Sequence, residues 1–336
     1  MRRTPVAILA LAVALGACSS SEPTTAPTTS GTSTGAAETS AAPVRAADAN
    51  PVIADDFPDP DVLEVDGVYY AYATNSGMAN VQVARSEDLR TWERLDDALP
   101  VLPTWVIPGK TWAPEVTQLG PEQFVLYFTA TSFDPALQCL GVATSSSPEG
   151  PFEMVGDEML VCPPDEGGAI DAATFQADDG TWHLLWKNDG NCCGFDTWLQ
   201  IAPLTADGTA LAGPVTKLIQ QDQPWEGNLV EAPTLVERDG IFTLLYSAND
   251  YGGDQYVMGA ATATDLLGPY TKHPDPILST DSSDGAYIGP GGQDVVVGPD
   301  GTDHLVFHSW YAEDTYRGMN VVPLEWDGGV PVPVLD

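Results

Sequence analysis

Positive charge is what this chain of 336 residues has least of. Twelve Lys and Arg stand against 48 Asp and Glu, a formal net charge of −36, and only four His are present. A surface this acidic repels phosphate backbones and anionic polymers, which excludes nucleic acid as a partner. Long apolar runs are missing too. The one candidate, Pro5 to Leu15, is too short to cross a bilayer, which takes roughly 20 apolar residues. Cysteine is sparse, five in all, and no CxxC pair occurs, so the usual spacing of a zinc site is absent. No long segment combines helical periodicity with caps, which argues against a helical fold.

What is present begins with a targeting segment. Arg2 and Arg3 precede the apolar run, which ends in Leu15-Gly16-Ala17-Cys18. This is similar to a bacterial lipobox, with residues 1–17 as a lipoprotein signal peptide and Cys18 as the lipidated mature N-terminus. The expected location is therefore the extracytoplasmic face of the cell membrane, held by the lipid on Cys18. Residues 18–49, rich in Ser, Thr, Ala and Pro, have too little apolar surface to repay ordering and are expected to be a disordered tether. Residues 50–336 then form one domain, expected to be a monomer. That domain carries the whole net charge, because three basic and three acidic residues cancel before Asn50. Only nine Lys and Arg remain in it, so each cation is informative.

Four cysteines stay in the domain: Cys139, Cys162, Cys192 and Cys193. An even number in an exported protein favours disulfides, and four allow three pairings. Adjacent Cys192 and Cys193 can bridge each other, leaving Cys139 to pair with Cys162 across one repeat's outer strands.

A three-part pattern repeats five times. Aromatic-rich strands GVYYAYAT, QFVLYFTA, GTWHLLWK, GIFTLLYS and GTDHLVFHSW follow Asp66, Glu122, Asp179, Asp239 and Asp300, most of them in an Asp-Gly hairpin signal. Each is preceded by a shorter strand (PDPDVLEV, APEVTQLG, IDAATFQA, EAPTLVER, GGQDVVVG) and followed by a third. The spacing of roughly 55 to 62 residues lies in the range of propeller blades. The predicted fold is all-β, a five-bladed β-propeller. Innermost strands line the axis, so the residues at their starts converge: Asp59, Glu115, Asp171, Glu231 and the pair Gln293-Asp294. Four carboxyl groups from four blades are thus expected at one end of the channel, a costly cluster that a fold accepts most readily where chemistry needs it.

FPDPDV, WAPEV, AIDAATF, EGNLVEAPTLVERDGIFTLLYS, GPGGQDVV and MNVVPLEWDGG, in that order from Phe57 to the end, resemble glycoside hydrolase family 43. The resemblance implies an inverting glycosidase acting on pentose-containing glycans: α-L-arabinofuranosides, arabinan or β-D-xylosides. It implies Asp59 as general base, Glu231 as general acid, and Asp171 as the third carboxylate that tunes and orients the acid. Inversion needs acid and base far enough apart to admit a water, which suits residues on different blades. Trp112 and Trp105 are expected to offer flat platforms to sugar faces. Glu115 is expected to bind sugar hydroxyls, and Arg317 matches an active-site arginine. Many relatives carry His where this chain has Gln293, a weaker ligand, so a central calcium ion is doubtful and no cofactor is expected to be required. His308, on the same repeat, is the nearest substitute. The competing function is a surface glycan-binding propeller without catalysis.

Overall fold

The computed structural model describes residues 51–312 and 314–335. The predicted signal peptide, Cys18 and the tether lie outside them. Twenty strands form five antiparallel sheets of four, each built from strands consecutive in the chain. Blade 1 holds β1 (Asp61–Val65), β2 (Val68–Ala73), β3 (Gln82–Ser86) and β4 (Glu93–Arg94). Blade 2 holds β5 (Val106–Gly120), β6 (Gln123–Ser132), β7 (Gln138–Ser145) and β8 (Glu153–Met154). Blade 3 holds β9 (Ala169–Gln176), β10 (Trp182–Asn188), β11 (Trp198–Pro203) and β12 (Thr216–Gln220). Blade 4 holds β13 (Val230–Arg238), β14 (Ile241–Ala248), β15 (Val257–Ala263) and β16 (Thr271–Lys272). Blade 5 holds β17 (Ile288–Val297), β18 (Asp303–Tyr311), β19 (Tyr316–Asp327) and β20 (Val330–Pro333). The protein is a five-bladed β-propeller, as its repeats predict.

The hairpins follow from local chemistry. Asp66-Gly67 and Asp239-Gly240 place both residues at positive φ (53° and 85°, 55° and 77°), which matches the twist of the strands they join. Apolar residues alternate along each strand and meet those of the next blade, giving one core per pair of neighbouring blades. Tyr72 and Phe128 belong to the core between blades 1 and 2, and Val306, Met319 and Phe57 to the one between blades 5 and 1. The ring closes through backbone pairing of the first described residues with β19: Val52 N donates to Met319 O (2.8 Å) and Phe57 N to Arg317 O (2.9 Å). Closure therefore brings Arg317 beside the segment carrying Asp59.

Each blade has a residue in the left-handed region at the same place in or just before its inner strand: Asp59 (φ 54°), Ala113 (40°), Asp171 (58°), Ala232 (48°) and Gly292 (55°). In blades 2 to 5 the ladder to the second strand shifts register there. Such bulges re-aim the flanking side chains. They correct the expected single ring of carboxyl groups. Asp59 and Asp171 occupy the left-handed position and Glu231 precedes it, whereas Glu115 lies two residues beyond it, level with Asp61 and Asp294. The acids form two tiers.

Cys139 is bonded to Cys162 and Cys192 to Cys193. With its partners 23 positions apart in sequence, the first bond is worth about 3 kcal/mol through the unfolded chain.

Candidate active site

The deeper tier is a set of staples between inner strands. Asp294 accepts from Val62 N (2.9 Å), Asp61 from Val116 N (2.8 Å) and Glu115 from Thr174 N (2.7 Å), each bond reaching the next blade. Thr234 Oγ1 continues the ring by donating to Gln293 O at 2.7 Å. These acids line an axial cavity of about 60 Å³. Glu115 does not face the larger cavity above, contrary to its expected contact with sugar, because its carboxylate is taken up by Thr174. Burial, with Asp294 nearby, pushes Glu115 up to about 7, and burial pushes Asp294 up to about 6. Asp61 is also pushed well up by burial and by both neighbours.

Neutral forms of Glu115 and Asp294 thus favour the fold. Their contribution is complete below their ordinary values near pH 4 and is lost as pH rises through about 6 to 7. The melting temperature is expected to fall between about pH 5 and pH 7.5, and to fall less in Glu115→Gln, whose amide oxygen can still accept from Thr174. An unchanged slope in that variant, read by calorimetry, would remove the cluster as the source.

Above this tier opens a cavity of about 530 Å³ lined by Asp59, Asp171 and Glu231, together with Trp112, Lys187, Tyr256 and Arg317. Trp105 is elsewhere. It is 8% exposed and stacked on Phe128 in the core between blades 1 and 2, so it offers no platform, and the expectation for it is corrected. Trp112 lies above the left-handed turn at Ala113 and is half-buried at the cavity wall.

Asp59 sits where blade 1 meets blade 5. Thr74 Oγ1 donates to its Oδ2 at 2.6 Å, and Arg317 Nη1 lies 3.6 Å from its Oδ1. Burial works to raise this carboxyl, but the guanidinium and the Thr74 hydroxyl hold it below its ordinary value, so it is ionised. Its backbone N–H donates to His308 Nδ1 at 3.0 Å. His308 has no exposed surface, and burial lowers it to about 3. The imidazole is therefore neutral, and its 3.3 Å approach to the Asp59 carboxylate is no ion pair. Gly292 is required alongside: a Cβ there would come within 2.7 Å of the His308 ring and 2.8 Å of Asp59 Oδ1.

Most donors that would hold a central metal are committed to protein partners, although the buried His308 Nε2 has none. Gln293 spends its amide oxygen on Ser247 (2.8 Å) and its amide nitrogen on Ala232 O (2.5 Å), and His308 Nδ1 is occupied by Asp59 N–H. Among the described residues no three His, Cys, Asp or Glu side chains are placed to ligate an ion.

Across the cavity, Glu231 is clamped at both oxygens. Tyr256 OH donates to Oε1 (2.8 Å) and Lys187 Nζ to Oε2 (2.9 Å). Lys187 is 1% exposed and also lies 3.4 Å from Asp189. Burial would lower it, but Glu231, Asp171 and Asp189 raise it above its ordinary value, so it stays an ammonium. Asp171 accepts from Ala232 N at 3.0 Å, which ties it to the turn just after Glu231. Burial and the Glu231 charge push Asp171 well above the carboxylate range. Sequence reasoning missed Lys187, Tyr256 and Thr74. For Lys187 a signal existed, since a lysine ending the apolar strand HLLWK is one of only nine cations in the domain.

Residues 49–331 match the profile of glycosyl hydrolases family 43. The chain belongs to family 43. This family 43 protein is 29% identical over 293 residues to a β-D-galactofuranosidase, xynD, of Aspergillus niger, covering 82% of this chain and 80% of that one. It is 25% identical to an extracellular exo-α-(1→5)-L-arabinofuranosidase, ArbA, of Cellvibrio japonicus, covering 81% and 84%. Among solved structures it is similar to a thermostable family-43 glycoside hydrolase (TM-score 0.76, 29% identity, 85% of this chain and 95% of that one). An endo-1,4-β-xylanase of Bacteroides thetaiotaomicron also matches (TM-score 0.73, 27% identity, 86% and 97%). Family membership makes the propeller a glycoside hydrolase fold whose axial cavity is the place to look for its chemistry.

Proposed function

We propose that the protein is an inverting glycosidase that releases arabinofuranosyl or xylosyl units from neutral plant-type glycans. Asp59 is the base, Glu231 the acid and Asp171 the positioning residue. One observation carries the reading: an ionised Asp59 on blade 1 and a clamped Glu231 on blade 4 line the same cavity. Asp59 holds a water against the anomeric carbon and takes its proton, while Glu231 protonates the departing oxygen from the other side. Asp171 fixes the backbone after Glu231 through Ala232 N–H. Trp112 offers its face to the sugar, and Arg317 keeps Asp59 charged. Cys18 anchors the chain by lipid to the outer face of the membrane, and the protein works as a monomer. A relative named as a galactofuranosidase adds β-D-galactofuranosides to the substrates worth testing.

The deciding experiment is hydrolysis of nitrophenyl α-L-arabinofuranoside, β-D-xyloside and β-D-galactofuranoside, and of linear arabinan and xylan, with the anomeric product followed by NMR. Release of the inverted sugar supports the reading. Binding to a polysaccharide with no cleavage of any substrate would replace it with the non-catalytic one.

Lys187 has a place in this mechanism. Once Glu231 has given up its proton, the ammonium 2.9 Å away stabilises the carboxylate left behind. Lys187→Met is expected to lower kcat on substrates with poor leaving groups by roughly 10²-fold and to move the alkaline limb of the pH profile upward. A lower kcat with an unmoved limb would reduce Lys187 to a packing role.

A further inference from the structure

Three aromatic side chains are the most exposed of their kind among the described residues: Phe133 (61%), Phe195 (50%) and Tyr251 (53%). Single exposed apolar side chains need no explanation. These three share an address. Each lies in the loop between the second and third strands of its blade, in the consecutive blades 2, 3 and 4. Inner strands begin at the cavity mouth and neighbouring strands run antiparallel, so this loop returns to the cavity face in every blade. Blade 1 has Met78, 99% exposed, in the same loop.

The loops continue the cavity wall. Tyr251 lines the cavity itself. Asn191, in the loop of Phe195, lines it too, as does Gln138, the first residue of β7 after the loop of Phe133.

The loops are also braced. The blade 3 loop is tied at its base by Asn188, whose Nδ2 donates to Glu166 O (2.9 Å) and Asp196 O (3.0 Å), and Phe195 N donates to Gly190 O (2.9 Å). The bonded pair Cys192–Cys193 lies within it. Tyr251 O accepts from Trp310 Nε1 (2.8 Å), and the Arg317 guanidinium lies 5.1 Å from the Tyr251 ring. Phe133 N donates to Trp105 O at 2.9 Å. Loops braced in this way present the exposed rings they carry to water with little backbone ordering left to be lost on binding.

We propose that Phe133, Phe195 and Tyr251 form a binding rim for a neutral polysaccharide, stacking on sugar rings several units from the bond being cleaved. The occupant follows from two features. The rim is continuous with the cavity, and the strongly acidic domain repels anionic chains. The proposal rests on the hydrolase reading for the position of the scissile bond. It adds that the preferred substrate is a chain and not a disaccharide.

The test compares wild type with the double variant Phe133→Ala/Phe195→Ala, two residues outside the catalytic cavity. On whichever polysaccharide wild type cleaves, kcat/KM is expected to fall about tenfold, with the nitrophenyl glycoside unchanged. Equal kinetics on the polysaccharide would overturn the rim, as would an equal loss on both substrates, which would report a disturbed fold. Wild type that cleaves the nitrophenyl glycoside but neither cleaves nor is retarded by arabinan or xylan also overturns the rim while leaving the hydrolase reading intact. Wild type that cleaves nothing but is retarded in arabinan gels, with the retardation lost in the double variant, keeps the rim and removes the hydrolase. Sedimentation with phosphatidylcholine vesicles that only wild type shows would give these residues to lipid and overturn the proposal.

Discussion

Asp59→Asn is expected to reduce kcat on every cleaved glycoside by roughly 10²- to 10⁴-fold while leaving the melting temperature within a few degrees of wild type. An amide cannot take the proton of the attacking water. The fold should tolerate the change because its main anchors at this position survive. The backbone N–H still donates to His308, and the amide oxygen can still accept from Thr74 Oγ1. What is lost is the charge facing Arg317 at 3.6 Å, while the guanidinium keeps its place over the Tyr251 and Trp310 rings. Asp61→Asn is the control. Asp61 accepts from Val116 N in the deeper tier and does not line the large cavity, so its loss is expected to alter stability and not turnover. Turnover of Asp59→Asn within tenfold of wild type would dismiss it as the base.

Glu231→Ala should separate substrates by their leaving groups. A glycan alkoxide is a strong base and departs only when protonated, whereas a nitrophenolate leaves largely unaided. Loss of roughly 10³-fold or more is expected on oligosaccharides, with a much smaller loss on nitrophenyl glycosides, and the alkaline limb of the pH profile should flatten. The same change frees the Lys187 ammonium and the Tyr256 hydroxyl from their partner in a buried site, so a lower melting temperature should accompany it. The ratio between substrates, not the absolute rate, is therefore the measurement that decides. Equal losses on both would remove Glu231 as the acid.

The propeller itself could be read from the chain because its determinants are local. Asp-Gly turns, alternating aromatic strands and a constant repeat length specify hairpins of one size, and five such sheets can bury their faces only against one another. Spacing likewise places Asp59, Glu115, Asp171 and Glu231 at the starts of inner strands, and only the resemblance to family 43 singles out Asp59, Asp171 and Glu231 among them. The register at those starts could not be. One left-handed residue per blade separates the acids into an upper tier facing the cavity and a lower tier that staples the inner strands. Alternation along a strand does not encode such a bulge, which is why Glu115 and Asp61 look equivalent to Asp59 in sequence and are not in space.

The aromatic pair divides similarly. Trp112 reaches the cavity wall, while Trp105, seven positions earlier on the same approach, stacks on Phe128 in the core. The charged partners of Asp59 and Glu231 come from other blades. Arg317 meets Asp59 only because the ends of the chain pair when the ring closes, and Lys187 meets Glu231 only across two blades. The sequence by itself determined the class of fold, the kind of side chains at the axis and their acidity. Tertiary structure decided which of them share a cavity and which are neutral, because burial and neighbouring charge act through space and not along the chain.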